Sequence, residues 1–286
     1  MDRVVLRRIV CAVDLSERSV PSLKEALQLA RLHRSELLVV HVAEQWFAST
    51  DSARRKVTDA FLALRRHADR ETLTAPVRWI VAHGNPAIEL ARFIRRTNAD
   101  LAVVGAALPS FSAGVVGTVA HAILRTTACP VLVIPRTFAN DASPNPYRAI
   151  ICGVSSGLST ATLRYALSFA QEFKSRLTIL NAAVDHVRRA DHTWIESDID
   201  RLRAEIPSDA LNWCLIDELV TSGEPAEELV KATRRLESDP VVVGSTGESE
   251  GGLGSVALGA LMLTNASVLI VPAPGTAQEI DKTMAA

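Results

Sequence analysis

The chain has 286 residues, of which 48% are apolar and 22% charged, and its formal net charge is −1. This length exceeds one small domain and suits two of ordinary size. The balanced charge leaves no basic surplus for nucleic acid or an anionic membrane, and no apolar run nears the ~18 residues that span a bilayer.

In chain order, the first strand is expected over 8–13, an apolar run that ends at Asp14 and is far shorter than a signal-peptide core. Further strands are expected over 36–42, 77–82, 101–105 and 131–134. All are rich in Val, Ile and Leu with little polar alternation, as in strands covered on both faces. Helical patterns lie between them, at about 20–32, 51–73, 87–97 and 118–126. Pro21 and Pro86 stand near helix starts, where a missing N–H costs nothing. The alternation predicts an open α/β domain, a parallel sheet with right-handed crossovers and helices on both faces. A ligand site in such a sheet lies beyond the carboxyl ends of its strands. Asp14 follows strand one there, and Gly105 and Gly244 follow the fourth strand of each half.

Past a segment rich in proline and turn formers, the pattern is written again. RRIVCAV at 7–13 returns as RAIICGV at 148–154, and HGNPAIEL at 83–90 returns as SGEPAEEL at 222–229. DLAVVG at 100–105 returns as DPVVVG at 239–244, and VLVIP at 131–135 as VLIVP at 268–272. The offset drifts only from 141 to 137, which marks a duplicated domain rather than a solenoid repeat. The expected division is a first domain over 1–136, a linker over 137–147, a second domain over 148–275 and a tail over 276–286. The last strand of each half would be an edge strand. The two are expected to pair within one molecule, or else to recruit a second chain.

Cys11, Cys129, Cys152 and Cys214 form no CxxC pair. Cys11, Cys152 and Cys214 lie in strand-like runs and read as small buried hydrophobes of a reducing compartment, the cytoplasm.

The segments RIVCAVDLSERS, HGNPAIEL, SGEPAEEL, VVGAA, VVVGSTG, CPVLVIP and ASVLIVP together resemble the universal stress proteins in their tandem two-domain form. The resemblance covers nearly the whole chain. It implies five parallel strands per domain flanked by helices, an internal pseudo-dimer, and regulation of stress survival rather than dedicated metabolic catalysis. Many members of that family bind ATP, with Mg²⁺, or AMP, and others bind no nucleotide, so the resemblance implies either a nucleotide site or none. Where present, that site uses an Asp after strand one, a backbone contact after strand two (here Val42), and a loop of the form G-x2-G-x9-G-[S/T].

Glycines in such a loop let backbone N–H groups approach phosphate, and a helix start adds donors. The same residues also suit a plain strand-to-helix turn. The first half offers Asp14, Val42, Gly105, Gly117 and Thr118, but Leu108 stands where the second glycine belongs and Pro109 removes a donor. The second half offers Gly244, Gly247, Gly254 and Ser255, but its loop is three residues short and Ser155 replaces the Asp. Each half thus keeps part of the pattern, which argues against two full ATP sites.

No HExxH or Cys/His metal spacing, P-loop, GxGxxG after strand one or GxSxG elbow is present. His41 and His83, at the ends of strands two and three, stand near a first-half ligand or serve as satisfied polar groups. His186 and His192 flank Asp185 and Asp191 in an irregular stretch open to adventitious metal. Two functions stay open: a nucleotide-responsive stress regulator, and an interaction scaffold that needs no nucleotide. No catalytic residue is singled out.

Overall fold

A computed structural model describes residues 4–44, 51–69, 76–106, 118–135, 147–154, 160–183, 199–200, 203–204, 206–245 and 253–273. The chain divides into two compact units, built mainly from Val5–Ala139 and Asn140–Pro274.

In the first unit the strands are β1 (Arg8–Ala12), β2 (Glu36–Ala43), β3 (Val77–His83), β4 (Leu101–Gly105) and β5 (Val131–Ile134). They alternate with helices α1 (Val20–His33), α2 (Asp51–Asp69), α3 (Pro86–Arg96) and α4 (Thr118–Thr126). The expected helix over 51–73 is described to Asp69; 70–73 lie outside the described residues. The strand order is β3-β2-β1-β4-β5, and every pair is parallel. β1 therefore sits mid-sheet, with Ile9, Val10 and Cys11 at most 1% exposed. This burial is why the strand sequences read as continuous apolar runs.

The second unit repeats the plan with β6 (Ala149–Val154), β7 (Arg176–Ala183), β8 (Leu215–Ser222), β9 (Val241–Ser245) and β10 (Val268–Pro272). Its helices are α5 (Thr160–Phe173), α6 (Pro225–Leu236) and α7 (Ser255–Leu263). The order β10-β9-β6-β7-β8 is again parallel throughout.

The duplication extends to single hydrogen bonds. Ser35 Oγ donates to the Leu6 carbonyl at 2.6 Å, and its twin Ser175 donates to the Tyr147 carbonyl. Both seal the junction between the first helix and the second strand of their unit. Gly84 (φ +135°) and Gly223 (φ +146°) turn the chain from the third strand into the next helix, a region L side chains rarely enter. Asp100 accepts the N–H groups of Arg7 and Arg8, both at 2.8 Å. Its twin Asp239 instead accepts the Ser267 N–H, at 3.3 Å. Burial pushes the Asp239 carboxyl up to about 7, against the lowering effect of its hydrogen bonding to Ser267.

Cys214 directly precedes β8 rather than lying within it, because the short 3-10 turn Ala210–Asn212 runs up to that point. It is buried all the same. Burial raises all four thiols, Cys11, Cys129 and Cys152 to about 12 and Cys214 to about 11.

Candidate functional site

β1 ends under Asp14, and the chain must then turn at once into α1. Leu15 makes that turn at φ 62°, a left-handed conformation unusual for a branched apolar residue. What holds the turn is Asp14 itself. Its Oδ1 accepts the Ser16 N–H at 2.9 Å and the hydroxyls of Ser16 and Ser19, each at 2.6 Å. In return the Asp14 N–H donates to Ser19 Oγ at 2.8 Å. Burial alone would raise the carboxyl. The serine hydrogen bonds outweigh it and, with Arg18 nearby, hold Asp14 below the usual carboxylate range. The residue is exposed, and among the described residues nothing is bonded to Oδ2. The result is an ionised carboxylate with one oxygen saturated and the other presented outward.

Beside it, His41 projects from β2 with Nδ1 3.1 Å from the Val13 carbonyl. A carbonyl only accepts, so Nδ1 carries the proton and Nε2 of the neutral ring is an acceptor. Burial lowers the His41 pKa, against the pull of the Val13 carbonyl and Asp14 and with the push of His83. The ring meets Phe61 edge-on at 6.0 Å, and Phe61 meets Trp79 in the same way at 5.6 Å. Val42 lies inside β2, 7% exposed and in register with Ala82, so only its backbone is placed to meet a ligand.

Gly105 closes β4. A Cβ there would stand 3.0 Å from Oγ of the buried Ser22, so the close approach of α1 favours glycine whether or not a ligand binds. Thr118 opens α4, while Gly117 lies outside the described residues, as do Ser155, Gly247, His186 and His192. In the second unit Gly244 is the fourth residue of β9, and the Oγ of Ser245 after it accepts the Ala273 N–H at 3.3 Å. Gly254 is the N-cap of α7, buried, with φ −64° and ψ 159°; no side chain caps this helix, and Ser255 is exposed at its first turn. That backbone is open to any residue, so conformation does not account for the glycine at 254.

The structure thus brings Asp14, Val42 and His41 together at the strand ends of the first unit, with Gly105 ending the neighbouring strand. Ser16 and Ser19 were not singled out in the sequence, although the D-x-S-x-x-S spacing before a helix signals such a latch. A cleft of about 490 Å³ opens at the β3–α3 turn, lined by Glu44, His83, Asn85, Ile88, Glu89 and Arg92 among others. His83 is its link to His41.

The family model described as the universal stress protein family matches residues 6–135 and again 146–272. This chain belongs to the universal stress protein family. A relative of this family, universal stress protein YxiE of Bacillus subtilis (strain 168), is 24% identical over 147 residues, which are 46% of this chain and 99% of YxiE. Among solved structures, a universal stress protein from Archaeoglobus fulgidus DSM 4304 matches with a TM-score of 0.71 and 16% identity, covering 93% of this chain and 98% of its own. A functionally unknown protein from Pseudomonas aeruginosa PAO1 matches at 0.68 and 16%, covering 98% and 97%. At these identities the solved universal stress protein attests the fold and nothing finer. Among the described residues no helix is long and apolar enough to cross a membrane, and no group of three or more His, Cys, Asp or Glu could hold a metal ion.

Proposed function

We propose that this universal stress protein is a cytoplasmic stress-response regulator that binds an adenine nucleotide, AMP or ATP with Mg²⁺, in its first unit. The observation that carries the reading is Asp14, whose ionised carboxylate turns a free Oδ2 outward at the ends of β1 and β2. A carboxylate so held is a charge-assisted acceptor for the paired hydroxyls of a ribose. Its serine latch fixes the geometry before any ligand arrives, so little ordering is left for binding to require. Neutral His41 adds an acceptor nitrogen at the same strand ends, suited to an amino group or hydroxyl. The ligand supplies the signal, and the chain supplies two loop states of different affinity for it. The tandem domains fit an internal pseudo-dimer, for which pairing of Val131–Ile134 with Val268–Ile270 is the proposed seam.

A second reading keeps specific support. Gly105 is accounted for by Ser22, and Gly254 needs no special conformation, as in a scaffold whose glycines only build turns. The deciding experiment denatures freshly purified protein, identifies released nucleotide by mass spectrometry, and follows with titration calorimetry. About one adenine nucleotide per chain, lost in Asp14→Asn and kept in Gly247→Leu, supports a first-unit site. Loss only in Gly247→Leu moves the site to the second unit. No nucleotide released and none bound at millimolar concentration leaves the scaffold.

A further inference from the structure

The whole-chain charge conceals a division. Residues 5–139 contain 18 Lys and Arg against 11 Asp and Glu, whereas residues 140–286 contain 12 against 20. Part of the first half's surplus is gathered at the N-terminal ends of its strands. There the start of β1 carries Arg7 and Arg8, the start of β3 carries Arg78, α1 ends in Arg31 and Arg34, and α3 ends in Arg96. These chain ends touch. Arg8 sits opposite Glu36 in register, the Glu36 N–H donates to the Arg7 carbonyl at 2.8 Å, and the Arg8 guanidinium reaches the Thr97 carbonyl just past α3.

The duplicated unit provides a control. At ten positions of this face (7, 8, 31, 32, 34, 36, 78, 96, 98 and 100) the first unit has six arginines and two carboxylates. The twin positions of the second unit have four cations and four carboxylates: Ala149 replaces Arg8, Gln171 replaces Arg31, Glu172 replaces Leu32, Lys174 replaces Arg34, Arg176 replaces Glu36, Asp217 replaces Arg78 and Glu237 replaces Asn98. Complementing helix C-terminal dipoles explains a cation after each helix, and the second unit keeps Lys174 and Arg235 for it. It does not explain the difference between the units. The fold is common to both, so the first unit's surplus is not a requirement of the scaffold.

The two carboxylates of the face are already engaged. Glu36 holds Arg8 at 2.9 Å and Arg78 at 3.3 Å, and Asp100 holds backbone N–H groups. Arg7, Arg31, Arg34 and Arg96 are exposed, with no side-chain partner among the described residues. The same segments carry two exposed apolar side chains, Val5 just before β1 at 62% and Leu32 in the last turn of α1 at 41%.

We propose that this strand-end face of the first unit is a docking surface for an acidic, partly apolar peptide segment of another protein. Guanidinium forks match carboxylates in two-point contact, and Val5 and Leu32 give the partner's apolar residues something to cover. A nucleic acid fits less well. None of the ten positions is aromatic, and the described helices that reach this face, α1 and α3, present their C-terminal ends, whose carbonyls repel phosphate.

Fluorescence anisotropy on the full chain tests this, with a labelled twelve-residue peptide of repeating Asp-Glu-Leu. Its Asn-Gln-Leu counterpart and a labelled twelve-nucleotide strand are the comparators. Binding of the acidic peptide is expected to weaken at least ~5-fold between about 50 and 250 mM salt. It should weaken about tenfold in Arg31→Gln/Arg34→Gln, with circular dichroism unchanged. A control that removes two cations from the second unit, Arg148→Gln/Lys174→Gln, should bind as the parent does. No salt-sensitive binding, equal loss in that control, or tighter binding of the oligonucleotide than of the peptide would each overturn the proposal.

Discussion

Asp14 and Asp239 show how two carboxylates of one fold are driven in opposite directions. Hydrogen bonds outweigh burial at Asp14, so it stays charged; burial prevails at Asp239, whose carboxyl is raised to about 7. Asp14→Asn keeps the shape but halves the acceptor capacity and removes the charge. Nucleotide affinity, measured by calorimetry, is expected to fall at least about tenfold. For Asp239 the folded chain holds a proton that the unfolded chain releases near its ordinary value of 3.8. Between about pH 4 and 7 the native state therefore binds more protons, and stability falls as pH rises through that window. Asp239→Asn should raise the free energy of unfolding at pH 8, measured by urea denaturation, by ~2 kcal/mol, and should flatten the decline between pH 4 and 7. Asp14 was legible from its place after an apolar run. The serine latch was visible only as spacing, and the left-handed Leu15 was not visible, since nothing in a leucine announces a positive φ. The unlike surroundings of Asp100 and Asp239 were also out of reach, because their motifs are nearly the same.

Elements were the most readable level. β4 and β5 run over the residues expected, because a strand buried on both faces has no polar alternation to confuse its limits. Pro86 opens α3 rather than preceding it, as its fixed φ and missing N–H allow, with Asn85 as the cap: its Oδ1 accepts Ala87 N–H at 3.0 Å and Ile88 N–H at 3.3 Å. What strings of letters do not give is how closely helices approach. Gly259 of α7 lies against Ala226 of α6, where an added Cβ would sit 2.4 Å from the Ala226 Cβ. Gly259→Ala therefore forces the pair apart despite alanine's better helix propensity. A loss of about 1–3 kcal/mol is expected by chemical denaturation. At the strand-to-helix turn, Gly84→Ala should also destabilise, since φ +135° and the Glu89 Cγ 2.9 Å from the new Cβ both oppose it.

At the scale of the molecule, the repeat and the parallel sheets were plain in the sequence, whereas the order of the strands came only with the structure. The uneven sharing of charge was not, because one net figure of −1 averages two halves of opposite sign. Its physical effect should be measurable without a partner. At pH 7 and low salt the chain is expected to bind a cation exchanger although its net charge is slightly negative, since the exchanger meets one face at a time. Arg31→Gln/Arg34→Gln should elute at lower salt.

The sulfur chemistry of the chain is already set by where the strands run. Each thiol sits in or beside the sheet with a pKa far above neutrality, so almost none is thiolate, the form that peroxide attacks. The native chain should therefore consume a thiol reagent such as iodoacetamide far more slowly than the same chain in denaturant. Peroxide that inactivates low-pKa cysteine enzymes should leave its mass unchanged at cysteine. An oxidant that disarms thiolate enzymes would thus find little to attack in the cysteines of this chain.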